Sequence, residues 1–292
     1  MAPETPVLIT GATGFIGSRL TRTLAGGGRD VHLLVRDQQA AASQFAPQRV
    51  HLHPVAQASH VISTVDPVAI FHLATRYERH DPVDPGPMRL ANVEFGAEVL
   101  ESASVLRSCK VVVAGSQHQV ASADGGPTSA YAASKQELAG IAASMSENGG
   151  LEWIQTILYD IYGPGDTRDK LIPNTIAAVK DGTEIHLPDN PPLLSFCHVD
   201  DAVSALLAAY QELESDRAAV GRSVFARVEP LATPQDVVAM VGDVLGIEPR
   251  ISPEPYVVPA SGVPEPPDGP HPMGWRPTIG LEAGISEIVN AQ

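Results

Sequence analysis

The amino-acid sequence predicts an α/β fold, a parallel sheet wound with helices on both faces. Three observations predict it. Short apolar runs of strand length alternate with stretches of helical periodicity. The first apolar run breaks into three spaced glycines, Gly11, Gly14 and Gly17, and passes directly into a helical pattern. The 292 residues are enough for one large domain, or for a sheet domain that carries a smaller one.

Taken in order, Val7-Leu8-Ile9-Thr10 reads as a strand, the glycines as a tight turn, and Phe15, Ile16, Leu20 and Leu24 as the apolar face of a helix. Gly11 allows the turn, Gly14 has no side chain to hold a phosphate away from the backbone, and Gly17 lets the helix lie close on the strand. N–H groups at such a helix start face a pyrophosphate. Gly11, Thr13, Gly14, Phe15, Ile16 and Gly17 are therefore the predicted dinucleotide cradle of a Rossmann-type fold. Strands are expected at 31–35, more weakly at 50–55, and at 68–74. A helix at 88–106 is periodic through Leu90, Val93, Ala97, Leu100 and Ser104, followed by a strand at 111–115, a helix at 129–146 and a strand at 153–158. Ligands of such a sheet bind beyond the carboxyl ends of its strands.

Further along come a helix at 171–180, a short strand at 184–187, a helix at 199–214, a strand at 223–228 that rejoins the main sheet, and a helix at 234–245. Residues 249–272 are rich in proline with little periodicity, the pattern of a surface strap or lid. The expected division is a nucleotide-binding domain at 1–160, rejoined by about 196–228, and a small C-terminal substrate-binding α/β subdomain at 161–195 and 229–292.

Composition narrows the classes. The chain is 43% hydrophobic, but it has no unbroken apolar stretch of ~18 residues, and residues 1–6 lack the regions of a secretory signal. A cytoplasmic protein with no membrane partner is expected. The net charge of −15 argues against a nucleic-acid surface. Cys109 and Cys197 fit no metal spacing and no disulfide framework, and read as buried thiols. His51 and His53 share one strand face as ligands could, but no nearby cysteine or carboxylate completes a set, so no metal is expected.

Val35-Arg36 at the end of the second strand favours NADP over NAD. An NAD site usually carries an acidic residue there for the ribose 2′-hydroxyl, whereas a 2′-phosphate needs a cation such as Arg36. Asp37 follows one position later, beyond the apolar run. Proton chemistry is expected at Ser116, Tyr131 and Lys135. The spacing Tyr131-x-x-x-Lys135 puts phenol and ammonium on one helix face. The ammonium is expected to lower the phenol's pKa, so that tyrosine can exchange a proton with a carbinol or carbonyl oxygen. Ser116 ends the preceding strand and can hydrogen-bond the reacting oxygen.

With these residues in place, the sequence resembles the extended short-chain dehydrogenase/reductases, the family of nucleotide-sugar epimerases, dehydratases and ketoreductases. The likeness rests on Thr10 to Gly17, Phe71-His72-Leu73-Ala74, Asn92-Val93, Ser116 and Tyr131 to Lys135. Downstream it adds Tyr162-Gly163-Pro164, Lys170-Leu171-Ile172-Pro173, His198-Val199-Asp200-Asp201 and the residues around Gly274-Trp275-Arg276-Pro277. The resemblance implies that Leu73 and Ala74 line the cofactor together with Tyr131 and Lys135, and that Asn92 braces the site. It also implies that Lys170 to Pro173, with 184–187, frame the nucleotide half of a sugar nucleotide. A homodimer paired through the helices of Asn92 and Tyr131 is implied as well.

Within that family a 4,6-dehydratase carries Asp-Glu immediately after its catalytic Ser or Thr. Here those positions are Gln117 and His118. The stretch Gly115 to His118, with His72 to Tyr77, looks most like nucleotide-diphosphate 4-keto-6-deoxyhexose 4-ketoreductases of the CDP-abequose synthase type. That likeness implies NADPH-dependent reduction of a C4 ketone on a CDP- or dTDP-linked sugar. Thr75, Tyr77, Gln117, His118, Lys170 and Leu171 are then the candidate substrate contacts. A 4-epimerase with bound NAD and a ketone or aldehyde reductase acting on a non-nucleotide substrate remain as alternatives. The chain departs from the family at Leu193-Leu194-Ser195-Phe196, where the arginine that meets the substrate pyrophosphate is missing. Arg168 or Arg227 is left to replace it.

Overall fold

A computed structural model describes residues 5–78, 84–120, 127, 129–147, 149–254 and 265–291. The chain falls into two compact units. Unit 1 is Met1–Ile157, Val203–Phe225 and Gly269–Trp275; unit 2 is Leu158–Ala202, Ala226–Asp268 and Arg276–Gln292.

Unit 1 begins with the expected strand–turn–helix, β1 (Pro6–Thr10) and α1 (Phe15–Gly26), then β2 (Asp30–Val35), α2 (Gln38–Gln44), β3 (Val50–Pro54), α3 (Ala58–Val65) and β4 (Ala69–His72). The helix expected at 88–106 is α4 (Gly86–Arg89), a π-helical turn at Leu90–Glu94 and α5 (Phe95–Ser104). Leu90, expected on its apolar face, is 60% exposed; Met88, Asn92, Val93, Gly96, Val99 and Leu100 form the buried stripe instead. β5 (Lys110–Ser116), α6 (Ala130–Glu147) and β6 (Glu152–Leu158) follow.

The chain then enters unit 2 with β7 (Asp160–Tyr162), α7 (Leu171–Asp181), β8 (Ile185–Pro188) and β9 (Phe196–His198). α8 (Val199–Ser215) leads back to unit 1 and β10 (Ser223–Phe225); α9 (Pro234–Leu245), β11 (Ile251–Glu254) and α10 (Leu281–Asn290) belong to unit 2. The seven-stranded sheet has the order β10-β6-β5-β4-β1-β2-β3, and the pairings β10–β6, β5–β4, β4–β1, β1–β2 and β2–β3 are parallel. Strand order reverses between β1 and β4, which makes that junction the ligand crevice of the sheet.

The segment that rejoins the sheet is narrower than the expected 196–228. Residues 196–202 stay with unit 2, where β9 pairs with β7 and the Asp201 carboxylate accepts from Thr278 N and Oγ1 (both 2.9 Å) and Ile279 N (3.0 Å). Residues 269–275 return to unit 1 instead: Phe225 N donates to Pro270 O, and Trp275 Nε1 to Ser204 Oγ (2.9 Å). Each unit has its own core. The first contains Leu8, Leu34, Ile62, Ile70, Leu100, Val111 and Leu138; the second Ile172, Ile176, Val237, Val241, Ile285 and Ile288. Among the described residues no helix is long and apolar enough to cross a membrane. The strap expected at 249–272 falls partly on 255–264, outside the described residues.

Candidate active site

At the β1–α1 turn, Gly11 has φ +68°, and a Cβ there would lie 2.6 Å from Leu73 C and Ala74 N. The turn can therefore pass against β4's exit only as glycine. A Cβ on Gly17 would fall on the Gly11 carbonyl, so the first turn of α1 rests directly on the loop. No side chain caps α1 at Gly14 and its first turn carries no acid, which leaves the positive end of the helix dipole uncompensated. Thr13 and Gly14 are exposed, and Phe15 and Ile16 half-buried. Leu73 is buried and Ala74 half-buried beside this loop, Ala74 N donating to Thr10 Oγ1 (3.1 Å). Arg36 is exposed just after β2. Asp37, its acidic neighbour, is the N-cap of α2 and accepts from Ala40 N (2.9 Å).

The fold brings Ser116, Tyr131 and Lys135 together in unit 1. Ser116 ends β5, Tyr131 lies in the first turn of α6, and Lys135 is one turn further on. Ser116 and Thr75 both hydrogen-bond the Tyr131 side chain, and Tyr77 meets its ring edge-on at 5.0 Å between centroids. Burial nevertheless raises the Tyr131 pKa, more than those hydrogen bonds lower it. The expected lowering of this pKa is therefore corrected to a rise, because burial of the phenol outweighs the groups that favour its ionised form. Lys135 is 3% exposed, its ammonium donates to Ala114 O (2.9 Å), and burial lowers its pKa to about 8. Gln117 is half-buried and His118 exposed, in the 3₁₀ turn that Ser116 caps.

Two residues hold this trio: Gln119, which was not among the expected site residues, and Asn92, which the family resemblance implied as a brace. Gln119 completes a capping box: its Oε1 accepts from Ser116 N (3.0 Å) while Ser116 Oγ accepts from His118 N (3.3 Å). The spacing Ser116-x-x-Gln119 is the sequence signal that could have found it. Gln119 is anchored in turn, its Nε2 donating to Gln155 Oε1 (3.0 Å) and its carbonyl accepting from Gln136 Nε2 (2.7 Å). Asn92, in the π turn, accepts from Arg76 N (2.6 Å) and Thr75 Oγ1 (3.3 Å) and donates to Arg76 O and Ser134 Oγ (both 2.9 Å). It fastens the segment after β4 to the helix that carries Tyr131 and Lys135.

The profile of the NAD dependent epimerase/dehydratase family matches residues 7–221. The chain belongs to that family. It is 28% identical over 228 residues to a dTDP-glucose 4,6-dehydratase of Streptomyces griseus, covering 70% of this chain and 69% of the relative. Among solved structures it is similar to the UDP-glucose 4-epimerase of Thermotoga maritima with UDP-glucose (TM-score 0.81, 18% identity, 98% of each chain covered). It is likewise similar to the Thermus thermophilus UDP-glucose 4-epimerase in complex with NAD (TM-score 0.79, 21% identity, 98% of each chain). At these identities the structural likeness speaks for the fold.

This member of the NAD dependent epimerase/dehydratase family has its remaining predicted contacts in unit 2. Lys170 precedes α7, and Lys170 and Leu171 line a cleft with Asp160, Tyr162 and Phe196. Neither substitute for the missing arginine stands unengaged. Arg168 forms a two-pronged pair with Asp166 (2.7 and 2.8 Å) and donates to Ile161 O, and Arg227 pairs with Glu229 (2.8 Å) and Asp268 (3.1 Å).

A second correction concerns the histidines of β3. The sequence offered His51 and His53 no nearby carboxylate, yet the parallel register puts His51 beside His32 of β2, and Asp30 Oδ1 lies 3.0 Å from His51 Nε2. A partner twenty-one positions upstream is invisible to local spacing.

Proposed function

We propose that this chain is an NADPH-dependent ketoreductase that reduces the C4 ketone of a nucleotide-diphosphate 4-keto-6-deoxyhexose. The carrying observation is the Ser116–Tyr131–Lys135 group closed by a turn, Gln117-His118-Gln119, that contains no carboxylic acid. Dehydration would require an acid and a base beyond the tyrosine, at the two positions after Ser116, and neither residue there is acidic.

The uncapped start of α1, the exposed Gly14 and the cation at Arg36 suit a dinucleotide with a 2′-phosphate. Asp37, engaged as a helix cap, is the wrong partner for a ribose 2′-hydroxyl. When bound, the cofactor supplies the hydride. Tyr131 donates the proton that the carbonyl oxygen takes up, and its raised pKa keeps it protonated for that role. Ser116 orients the same oxygen. Lys135, buried one helical turn beyond Tyr131, would hold the nicotinamide ribose through its ammonium. Lys170 and Leu171 bind the nucleotide half, and Thr75, Tyr77, Gln117 and His118 the sugar.

The test is NADPH oxidation with CDP- or dTDP-4-keto-6-deoxyglucose. Stoichiometric consumption of NADPH is expected, and Tyr131→Phe should lower kcat by about 10²–10⁴-fold. Interconversion of C4 epimers without net NADPH loss would replace this reading with a 4-epimerase.

A second reading is favoured by one observation, that Arg168 and Arg227 are both held by carboxylates. On it the substrate is a ketone or aldehyde with no diphosphate. Thermal shifts with CDP, dTDP, UDP and GDP separate the two, since stabilisation by none of them favours the second.

A further inference from the structure

On the open edge of the main sheet, three imidazoles and a carboxylate converge in an arrangement that the dehydrogenase chemistry does not use. Asp30 and His32 alternate along β2, and His51 and His53 along β3, so each pair projects to one face of its strand. The register sets His32 opposite His51. The ring of His32 stacks on that of His51, with centroids 4.6 Å apart, and runs nearly parallel to that of His53, with centroids 5.2 Å apart. Asp30 Oδ1 lies 3.0 Å from His51 Nε2, and Asp30 Oδ2 3.4 Å from His32 Nε2. One ligand atom from each of Asp30, His32 and His51 falls within 4.8 Å of the others.

We propose that Asp30, His32 and His51 bind one divalent cation of the zinc class, with His53 fixing the His32 ring. Zinc bound to nitrogen and carboxylate oxygen at about 2.0–2.2 Å sets tetrahedral ligand atoms roughly 3.4 Å apart. The two carboxylate–imidazole separations, 3.0 and 3.4 Å, lie at or just below that value, so side-chain rotations can bring one Asp30 oxygen and the two imidazole nitrogens onto a common ion. His53 Nε2 lies 3.0 Å from His32 Nδ1. With its proton on Nδ1, His32 donates to His53 and turns the lone pair of Nε2 toward Asp30 and His51. An outer partner that fixes the tautomer of a ligating histidine is a recurrent feature of metal sites. Imidazole with a single carboxylate suits zinc, nickel or copper rather than the all-oxygen cations magnesium and calcium.

The site sits at the start of β2, whereas Arg36 and the glycine turn lie at the carboxyl ends of the strands. Its effect is on the sheet: a cation shared by β2 and β3 clamps the edge strand to its neighbour. His51 has an exposed side chain, which gives the ion a route in from solvent.

The test uses the untagged full chain, freed of metal, in a buffer that does not chelate. Titration with zinc chloride by calorimetry is expected to show one saturable equivalent per chain and a raised melting temperature. Cobalt(II) chloride is expected to give visible absorption bands at the same stoichiometry. His51→Gln should weaken zinc binding by at least tenfold, and His53→Gln by about 10–100-fold. Asp30→Asn provides a second lesion on the other strand. Far-UV circular dichroism and metal-free melting temperature check that each variant folds. Absence of a saturable equivalent would overturn the proposal and leave a plain carboxylate–imidazole pair. Undiminished binding in a folded His32→Gln/His51→Gln double variant would overturn it too, by placing the metal elsewhere.

Discussion

Lys135 is a buried ammonium with one protein acceptor, Ala114 O, and burial alone accounts for its pKa of about 8. Its charge is therefore intact at neutral pH and lost as pH rises through about 8. NADPH affinity is expected to weaken over that interval, which fluorescence titration at pH 7 and pH 9 would show. Equal affinities would remove Lys135 from cofactor binding. His72 obeys the same physics from the other side. It is fully buried at the crevice floor, Nδ1 2.9 Å from Thr10 Oγ1, with no hydrogen-bond partner at Nε2, and burial followed by the charge of Lys135 lowers its pKa to about 3. Between about 6.5 and 3 the unfolded chain takes up a proton that the folded chain refuses. Folding stability attributable to this residue is therefore full above 6.5 and falls with pH at up to about 1.4 kcal/mol per unit. Denaturation between pH 7 and 5 should lose less stability in His72→Gln than in the wild type, and parallel slopes would contradict the assignment. Residues of this kind were partly legible in the sequence. Ser116, Tyr131 and Lys135 carry spacing and strand-end signals, and Gln119 carries the local capping-box spacing, whereas Asp30 acts through a contact that only the β2–β3 register creates.

At the level of elements, legibility followed how much apolar pattern each one carries. β1, α1, β5, β6 and α9 are strongly patterned, and their expected and observed bounds agree closely. α2 reads Gln38-Gln39-Ala40-Ala41-Ala42-Ser43-Gln44 and buries only Ala41, so it has no stripe to detect. α3 contains Val61, Ile62, Thr64 and Val65, β-branched residues that obscure a helix. β7 and β9 are three residues each, too short for alternation to register. The π turn at Leu90–Glu94 is the informative miss, because the widened turn is what carries Asn92. Such turns recur at functional sites. Asn92→Ala removes the acceptor for Arg76 N and the donor to Arg76 O and Ser134 Oγ. Because Arg76 is exposed and its backbone can turn to water, a loss of about 0.5–1.5 kcal/mol per hydrogen bond removed is expected. Because Thr75 and α6 would no longer be fastened together, kcat should fall while far-UV circular dichroism stays native. An unchanged kcat would reduce Asn92 to a packing residue.

Across the whole molecule, two units with separate cores can fail separately. α10 closes the second core with Ile285 and Ile288, yet it carries Gly284, a poor helix former, in its interior and lies past the last patterned stretch that the sequence offered. The glycine has a spatial reason. A Cβ at that position would stand 2.5 Å from Tyr162 Oη and 2.7 Å from Cε2, and Tyr162 is 2% exposed on β7. Alanine for glycine inside a helix ordinarily gains about 0.8–1.0 kcal/mol. Here the ring must move, and overpacking of this kind costs about 1–3 kcal/mol. Gly284→Ala is therefore expected to lower the unfolding temperature, opposite to the propensity rule. The glycine loop, Arg36 and Lys135 belong to unit 1, so NADPH affinity at 25 °C should remain that of the wild type. A saturating dinucleotide at about 100 times its Kd should still add roughly 2.7 kcal/mol to the unit that binds it. Calorimetric scans of the variant with and without NADPH read both effects at once. A Gly284→Ala protein that melts higher would show that Tyr162 yields freely, and one that loses NADPH would show that the second core is required to hold the first unit's loop.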